Sequence, residues 1–390
     1  MREPAADVPA EIKILAEASS PAPDIAALRG LAASVDWERI FEAAKWHGVA
    51  PLVWWRLRTH CTGLVPEPIA ARFRNLLRGS AARSLTLCRE LHSLLDELEP
   101  KGVLVIPLRG PVLAKFLYGD AALRPSADLD LLVHRADLET VCETLRTRGL
   151  ALVPGLNAAQ QALTLRQNCE FCLGKPDGPY VEPHWELFPK AYPCDFPAEA
   201  VWASAGWAEF EGRRILQPSL EHAFLLLCVH AAKHRWEQIR QVADIAWFLH
   251  QQALNGGELF QLAKEVGASK ALATSCWLAE EVMRVRTPAG LWAGDDIRRQ
   301  ASTIGRSVIA SWSRGTPRSS VGDLWFKLQV FDRWQHKAAC LYYSLLAPTI
   351  IELRILPLPD SLSALYYPLR VSRLIFRHAV RPLLRAFSRR

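Results

Sequence analysis

Long apolar runs are what this sequence of 390 residues most clearly lacks. Its most apolar stretches, residues 223–232 and 341–351, are only about ten residues long, whereas a helix that crosses a bilayer needs roughly 20. We therefore predict no transmembrane helix. The first residues, MREPAADVPAEIK, contain acids where a secretory signal has a basic and then an apolar stretch. A cytoplasmic location fits these absences best.

The sequence also gives no indication of disulfide bonds. The nine cysteines are an odd number spread over a long chain, which does not indicate a disulfide framework. Cys169 and Cys172 form a Cys-x-x-Cys, but no second pair accompanies them. We therefore interpret them as two buried thiols rather than as a metal site.

Acidic residues are absent from residues 361–390, which contain seven arginines. These arginines account for the whole formal charge of +7, so the rest of the chain is close to neutral. A basic field confined to a tail gives no reason to expect a specific nucleic-acid partner. Residues 366–390 are predicted to form an amphipathic basic helix. We favour packing of this helix on the body of the protein; the alternative is weak contact with an anionic membrane surface, which would make the protein peripheral to the membrane.

Hydrophobic spacing divides the chain into three regions. Residues 1–100 and 216–390 have the 3.6-residue spacing of helices, whereas residues 101–215 alternate between strand-like and helical segments. The predicted fold class is α+β, with a small mixed β-sheet domain flanked by N-terminal and C-terminal helical regions.

Four segments of the middle region are predicted strands. Residues 103–107 and 128–133 are short β-rich runs, and residues 166–173 and 180–187 form a predicted hairpin. The hairpin is indicated by the sequence KPDG between its two strands, which is a strong turn signal.

The most informative segment is RPSADLDLLV, residues 124–133. On a strand, Asp128 and Asp130 lie on one face and Leu129 on the other. Two carboxylates this close repel each other unless water or a cation lies between them. A bare Asp-x-Asp is more often a solvated strand end than a metal site. A metal site is therefore indicated only if a second acidic segment accompanies it.

The segment YVEPHWE, residues 180–186, supplies that element. Glu182 and His184 share one face of the predicted strand, opposite Val181. A third acid on a neighbouring strand could complete an all-oxygen site for two hard cations, which in-line nucleotidyl transfer requires. Glu170 is the competing candidate for the third acid, and we favour Glu182.

A glycine turn precedes the acidic pair. The segment VIPLRG, residues 105–110, ends a predicted strand and opens a helix. Such a turn directs backbone amides and a helix N-terminus at phosphate oxygens. Arg109 and Gly110 are therefore candidate nucleotide-binding residues.

With these elements in place, the sequence resembles the uncharacterised bacterial nucleotidyltransferases of the polymerase-β-like superfamily. Members of that group show a Lys-Gly turn, an Arg, then Asp-Ile-Asp-Leu-Leu-Val and later Asp-x-His-Trp. The corresponding elements here are Arg109-Gly110, Arg124, residues 128–133 and residues 182–185. Segments on both sides of the middle region are also similar, so the resemblance covers most of the chain.

The resemblance implies a nucleoside triphosphate substrate, such as ATP, and magnesium, with two ions expected. It implies metal-binding and catalytic roles for Asp128, Asp130 and Glu182. The expected nucleotide-binding residues are Arg109, Gly110, Arg124 and Ser126.

This sequence departs from the group at three positions. Arg109 stands where Lys is usual, and an Arg can hold a phosphate bidentately. Pro111 removes an amide, together with the Ser that the wider superfamily has after its glycine. Glu182 replaces the more usual Asp. The absence of this Ser affects the expectation of phosphate binding, and it does not affect the expectation of a metal site.

His230 and His234 are one helical turn apart, as in zinc-binding pairs, but position 231 is Ala where a metalloprotease needs Glu. We favour structural histidines, capped by backbone or paired with Asp244. The alternative is that they line the acceptor side of the cleft together with His184.

The leading hypothesis is therefore a metal-dependent nucleotidyltransferase. It would move a nucleoside monophosphate from a triphosphate to a small-molecule, glycan-precursor or protein acceptor. The alternative is a catalytically reduced relative that binds a nucleotide or a partner. The intact Asp-x-Asp favours the first, and Pro111 favours the second. A membrane adaptor is a third hypothesis, supported only by the basic tail.

Overall fold

The N-terminal region is helical. The structure is a computed structural model that describes residues 8–176, 178–292, 294–312 and 320–380. Asp24 and Asp36 each begin a helix, because their carboxylates accept hydrogen bonds from the first free amides. The helices of this region are α1 (Ala10–Ser19), α2 (Ile25–Ala32), α3 (Trp37–Trp46), α4 (Ala50–His60) and α5 (Glu67–Leu98).

The middle region contains one mixed sheet of five strands in the order β1-β2-β5-β4-β3. Neighbouring strands are antiparallel except β2 and β5, which are parallel. The α+β class predicted from sequence is confirmed. The strands are β1 (Val105–Pro107), β2 (Asp128–Val133), β3 (Ala151–Leu152), β4 (Leu173–Gly174) and β5 (Tyr180–His184), and the helices between them are α6 (Gly110–Tyr118), α7 (Leu138–Thr147) and α8 (Ala158–Gln167).

The sheet separates two hydrophobic cores. Leu129 and Leu131 of β2 are buried in a core that also contains α7 and the second half of α5. Leu132 belongs to the other core, which is built mainly of helices. Because side chains alternate along a strand, Asp128 and Asp130 lie on the same face as Leu132, towards those helices.

The predicted first hairpin strand, residues 166–173, is wrong over most of its length. Helix α8 continues to Gln167, and β4 begins only at Leu173. The helix is favoured locally by a capping box, in which Asn157 and Gln160 exchange side-chain and backbone hydrogen bonds. Glu170 makes a single β-bridge with His184.

A helix and a second hairpin between the main sheet and the C-terminal helices were not predicted. The helix is α9 (Ala198–Ser204), and the hairpin strands are β6 (Gly206–Phe210) and β7 (Arg213–Gln217). Glu211 and Gly212 join the two strands, both with positive φ, as a type I′ hairpin turn requires.

The C-terminal helices pack against the N-terminal ones. Ser20 Oγ donates to the carbonyl of Met283 at 2.9 Å, and Trp247 Nε1 donates to the carbonyl of Ser19 at 2.9 Å. The division into residues 1–100, 101–215 and 216–390 stays a prediction. The C-terminal helices are α10 (Leu220–Lys233), α11 (Ile239–Gln251), α12 (Gly256–Glu265), α13 (Ser269–Met283), α14 (Asp295–Trp312), α15 (Ser320–Val330), α16 (Trp334–Leu345), α17 (Ile350–Ile355) and α18 (Tyr366–Ile375).

One helical segment does not agree with the prediction that the chain has no transmembrane helix. Trp334–Ile355 is long and apolar enough by length and composition alone, and 28% of its apolar window is buried. The prediction considered only shorter apolar windows. The segment comprises two helices, α16 and α17, with Pro348 between them.

The predicted basic helix at residues 366–390 is described as far as residue 380. α18 is followed by a π-helical turn, Phe376–Val380, and residues 381–390 lie outside the described part of the chain. Tyr366 packs in a small core with Leu163 and Leu353. Ile375 and Phe376, in contrast, are more than half exposed.

Candidate active site

The parallel pairing of β2 and β5 brings the acids together. Asp130 lies opposite Glu182, and Leu132 lies opposite His184. Asp130, Glu182 and His184 each offer a ligand atom within 4.8 Å of the others. Asp128 lies two residues before Asp130 on the same face of the strand. This register gives Glu182 the position beside the Asp-x-Asp strand.

The crowding of acids changes their protonation. Burial, followed by the charges of Asp130, Glu170 and Asp128, raises the pKa of Glu182 to about 7. Burial and the neighbouring Asp130 also raise the pKa of Asp128. Asp128 and Glu182 therefore resist ionisation beside their acidic neighbours.

Arg109 is the cation that neutralises Asp130. Its Nε donates to Asp130 Oδ2 at 2.9 Å and its Nη2 to Oδ1 at 2.6 Å, so the pair is bidentate. Burial opposes ionisation of Asp130, but Arg109 and His184 outweigh it and hold the pKa of this carboxyl well below its usual range. Nη1 of Arg109 also contacts the ring of His230.

His184 lies inside the acidic cluster, and its place on the acceptor side with His230 and His234 stays a prediction. Its Nε2 is 3.1 Å from Asp130 Oδ1, and its side chain is 3% exposed. Its Nδ1 is 3.2 Å from Glu170 Oε2, but the angle does not allow a hydrogen bond, and this buried nitrogen has no hydrogen-bond partner. Glu170, the competing third acid, therefore approaches His184 from the side away from Asp130.

The glycine turn packs directly on β2. Gly110 has a φ of 70°, and a Cβ at this position would lie 3.3 Å from the carbonyl oxygen of Asp128. Only glycine adopts this conformation without strain. The backbone N–H of Leu108 donates to the carbonyl of Asp130 at 2.9 Å. The N-terminus of α6, including Pro111 in its first turn, therefore starts beside the acidic strand.

Arg124 has a different partner from the phosphate that was expected. Its Nε donates to both oxygens of Asp244, at 3.1 and 3.0 Å, and its Nη1 donates to Ser126 Oγ at 3.3 Å. Tyr118 donates to the same Asp244 at 2.7 Å. Arg124 is thus held in a buried ion pair, and its phosphate contact stays a prediction, as does that of Ser126.

His230 and His234 end α10, on the helical side of the site. Their ring centroids are 4.5 Å apart. Burial, then the charge of Lys233, lowers the pKa of His234 to about 4, so this ring is neutral at pH 7. The expected pairing of these histidines with Asp244 is not found among the described residues, where Asp244 instead accepts from Arg124 and Tyr118.

Arg240 was missed in the sequence. It donates from Nη1 to the carbonyl of Pro125 at 2.9 Å, and its buried Nε has no hydrogen-bond partner. Its positive charge opposes the rise in the pKa of Asp128. The spacing of Arg240 and Asp244 could have indicated it, because the two residues are one helical turn apart and share a face of α11.

Cys169 and Cys172 do not act as a pair. Cys169 groups with Glu170 and His184 as possible ligand atoms within 4.8 Å, and Cys172 is outside that group. Burial raises the pKa of both thiols, to about 12 for Cys172. Both are protonated at pH 7, and thiolate is the form that binds metal.

A mixed sheet with Asp-x-Asp on one strand, a third acid on its parallel neighbour and a glycine turn opening a helix is the arrangement expected from the resemblance to nucleotidyltransferases. The sequence profile of the family described as "uncharacterised nucleotidyltransferase" matches residues 33–284. The chain belongs to this family and is a nucleotidyltransferase. The match extends from α3 to α13 and includes the whole five-stranded sheet. No curated protein and no solved structure matches.

Proposed function

We propose that this enzyme transfers a nucleoside monophosphate from a nucleoside triphosphate such as ATP to an acceptor, with Asp128, Asp130 and Glu182 as ligands of Mg²⁺, and that two ions bind. The acceptor would be a small molecule, a glycan precursor or a protein. The observation that carries the proposal is the register of β2 and β5, which gives Asp130 and Glu182 neighbouring positions. We include in the proposal a bacterial origin and membership of the polymerase-β-like superfamily.

The donor set fits magnesium. Carboxylate oxygens are the ligands that this ion prefers, and Asp130 and Glu182 offer such oxygens within 4.8 Å of each other. When bound, the ions would neutralise the triphosphate and stabilise the departing pyrophosphate. The buried Nδ1 of His184, which has no hydrogen-bond partner, leaves capacity for a further contact at this cluster.

Arg109 would change partners when substrate binds. In the structure it forms a bidentate pair with Asp130, whose oxygens the proposed ions also need. Gly110 opens α6 beside this pair, and the amides of its first turn are suited to phosphate oxygens. A guanidinium released from Asp130 could then hold a phosphate bidentately.

The neutral histidines of α10 would lie on the acceptor side. His230 contacts Arg109, so the helical half of the protein borders the carboxylates at this point. We propose a cytoplasmic location, with weak contact of residues 366–390 at the membrane surface as a further part of the proposal.

The Arg109–Asp130 pair also supports the second candidate, a relative that binds a nucleotide without transferring it. If Arg109 does not leave Asp130, the ions have fewer free ligands. Pro111 has no backbone N–H to offer a phosphate oxygen, which also favours this second candidate.

The test is transfer of label from α-³²P nucleoside triphosphates, with Mg²⁺ or with EDTA, and with or without cell extract. Asp128→Asn and Glu182→Gln should each lower metal-dependent transfer on the order of 100-fold, because the charge opposite the phosphates is reduced. Asp130 is less suitable for this test, since its removal leaves Arg109 buried without its carboxylate.

Glu186→Gln is the matched control. Glu186 is exposed and follows β5 by two residues, so the same chemical change leaves the cluster intact. Wild-type transfer by Glu182→Gln would remove Glu182 from the site. Triphosphate binding without transfer to any extract component would favour the second candidate.

A further inference from the structure

A cavity lies between α8 and the C-terminal helices. Its volume is about 590 Å³, within the range of small-molecule sites. Its walls come from α8, α15, α16, α17 and α18. All of these except α8 lie beyond the residues that match the family.

One wall of this cleft is basic. Arg370, Arg373 and Leu374 line it from α18, and Arg377 lines it from the π-helical turn that follows α18. Lys327 lines it from α15. Four cations therefore face a single cavity.

Two of these arginines are anchored by one carboxylate. Glu352 is fully buried and contacts Arg373 Nε as well as Arg370 Nη1, the latter at 3.6 Å. Arg370 Nη2 donates to the carbonyl of Ser344 at 2.8 Å, but its buried Nε has no hydrogen-bond partner. Glu352 therefore orients the basic wall and compensates only part of its charge.

The other two cations have no anchor. Among the described residues, no hydrogen bond or ion pair is formed by the side chain of Lys327 or of Arg377. Burial lowers the pKa of Lys327, which an anion in the cleft would oppose. Asp323, the acid that lines the cleft, is paired with Arg235. The cleft thus has a net positive charge available to a ligand.

The remaining walls are apolar, and part of their surface is open. Val321 is 72% exposed, Leu345 43% and Ile351 46%. Leu345 and Ile351 belong to the apolar segment Trp334–Ile355, of whose window only 28% is buried. Exposed apolar side chains next to a cavity are suited to contact with an apolar part of a ligand.

We propose that this cleft binds a phosphate-bearing amphiphile, with its phosphate on the arginines of α18 and of the turn that follows it, and its hydrocarbon chain on the apolar walls. A bidentate guanidinium suits a phosphate, and the apolar side chains exclude an entirely polar ligand as the best fit. The proposal concerns binding only and does not depend on nucleotidyl transfer.

The test is calorimetric titration of the full-length protein with monomeric dodecyl phosphate. Wild type should bind it at one site, and dodecyl maltoside, with the same chain and an uncharged headgroup, should bind at least about tenfold more weakly. Arg377→Gln should weaken binding of dodecyl phosphate by roughly tenfold, and Leu345→Ser combined with Ile351→Ser should weaken it further.

Two matched substitutions control for charge and for surface hydrophobicity. Arg299→Gln removes an exposed arginine from α14, and Leu85→Ser removes an exposed leucine from α5; both should bind as wild type. Cosedimentation with phosphatidic acid vesicles, compared with phosphatidylcholine vesicles, would identify a bilayer lipid as the source. Binding of dodecyl phosphate without cosedimentation would identify a soluble amphiphile.

Three results would overturn the proposal. The first is equal binding of dodecyl phosphate and dodecyl maltoside. The second is equal affinity of wild type and Arg377→Gln. The third is absence of binding by a protein that sedimentation equilibrium shows to be dimeric, since a second copy of the chain would then cover the apolar walls.

Discussion

Single residues carry the electrostatics of the site. The Arg109–Asp130 pair is largely withdrawn from water, with side chains 18% and 4% exposed. Burying two charges costs several kcal/mol of desolvation for each ion, which their attraction only partly offsets. A contribution to folding stability alone therefore does not account for this buried ion pair. The proposed exchange of Asp130 for a substrate phosphate would give Arg109 a functional reason to lie there.

His47 gives a pH-dependent prediction at the same scale. It is 3% exposed, and its Nδ1 accepts a hydrogen bond from the backbone of Ile239 at 3.3 Å. Burial lowers its pKa from 6.5 to about 4. Above pH 6.5 the ring is neutral in both states. Between pH 6.5 and 4 only the unfolded state gains a proton, so the free energy of unfolding should fall, by up to about 3 kcal/mol.

Urea unfolding between pH 7 and 4.5 measures this effect. His47→Asn keeps an acceptor and should reduce the pH dependence, part of the remainder coming from His234, whose pKa burial also lowers to about 4. His250→Asn, at an exposed position on α11, should keep the wild-type slope. An unchanged slope for His47→Asn would show that His47 is not the source of acid sensitivity.

Among the elements, α6 links the phosphate turn to the acidic strand. Its first residue, Gly110, touches the backbone of β2, and its last turn contains Tyr118, which contacts α11 through Asp244. A shift of this helix would therefore alter the turn and the ion pair of Arg124 together.

Gly110→Ala tests the turn. Both Gly110 and Gly119 have positive φ, at 70° and 71°, so alanine should cost about 1–2 kcal/mol of stability at either position. Only at Gly110 would the new Cβ meet Asp128, because nothing lies within 4 Å of the corresponding Cβ at Gly119. Gly110→Ala should therefore also weaken binding of a fluorescent triphosphate, and Gly119→Ala should not. Equal nucleotide affinity of the two variants would contradict this account of the turn.

At the scale of the whole molecule, one buried cluster connects the sheet to the helices. Arg124 and Tyr118 come from the middle region, and Asp244 comes from α11. Arg124 and Asp244 are 8% and 2% exposed. The orientation of the carboxylates towards α10 and α11 depends on this contact.

Asp244→Asn should lower the free energy of unfolding by about 3–5 kcal/mol, because it leaves the guanidinium of Arg124 buried without a counter-charge. Tyr118→Phe removes one hydrogen bond and keeps the ion pair, so about 1.5–3 kcal/mol is expected. Guanidinium chloride unfolding measures both. A loss for Asp244→Asn no larger than for Tyr118→Phe would mean that Arg124 finds another partner or water.

Local patterns in the sequence determined the acidic face and part of the elements, but not the helix α8 or the hairpin of β6 and β7. The alternation of β2 puts Asp128 and Asp130 on one side, and this follows from a period of two whatever surrounds the strand. Helical spacing likewise predicted α3, α4 and α5. The resemblance to nucleotidyltransferases rested on the same short motifs, and the family match confirmed it.

Only the tertiary structure decided which side chains meet. Asp130 faces Glu182 because β2 and β5 are parallel in one register, and a single strand does not contain that information. Arg124 meets Asp244 across 120 positions of sequence, and Arg109 meets His230 across 121. The cleft of α18 likewise needs five helices at once. Such contacts depend on how whole elements pack, because burial and electrostatic pairing act through space and not along the chain.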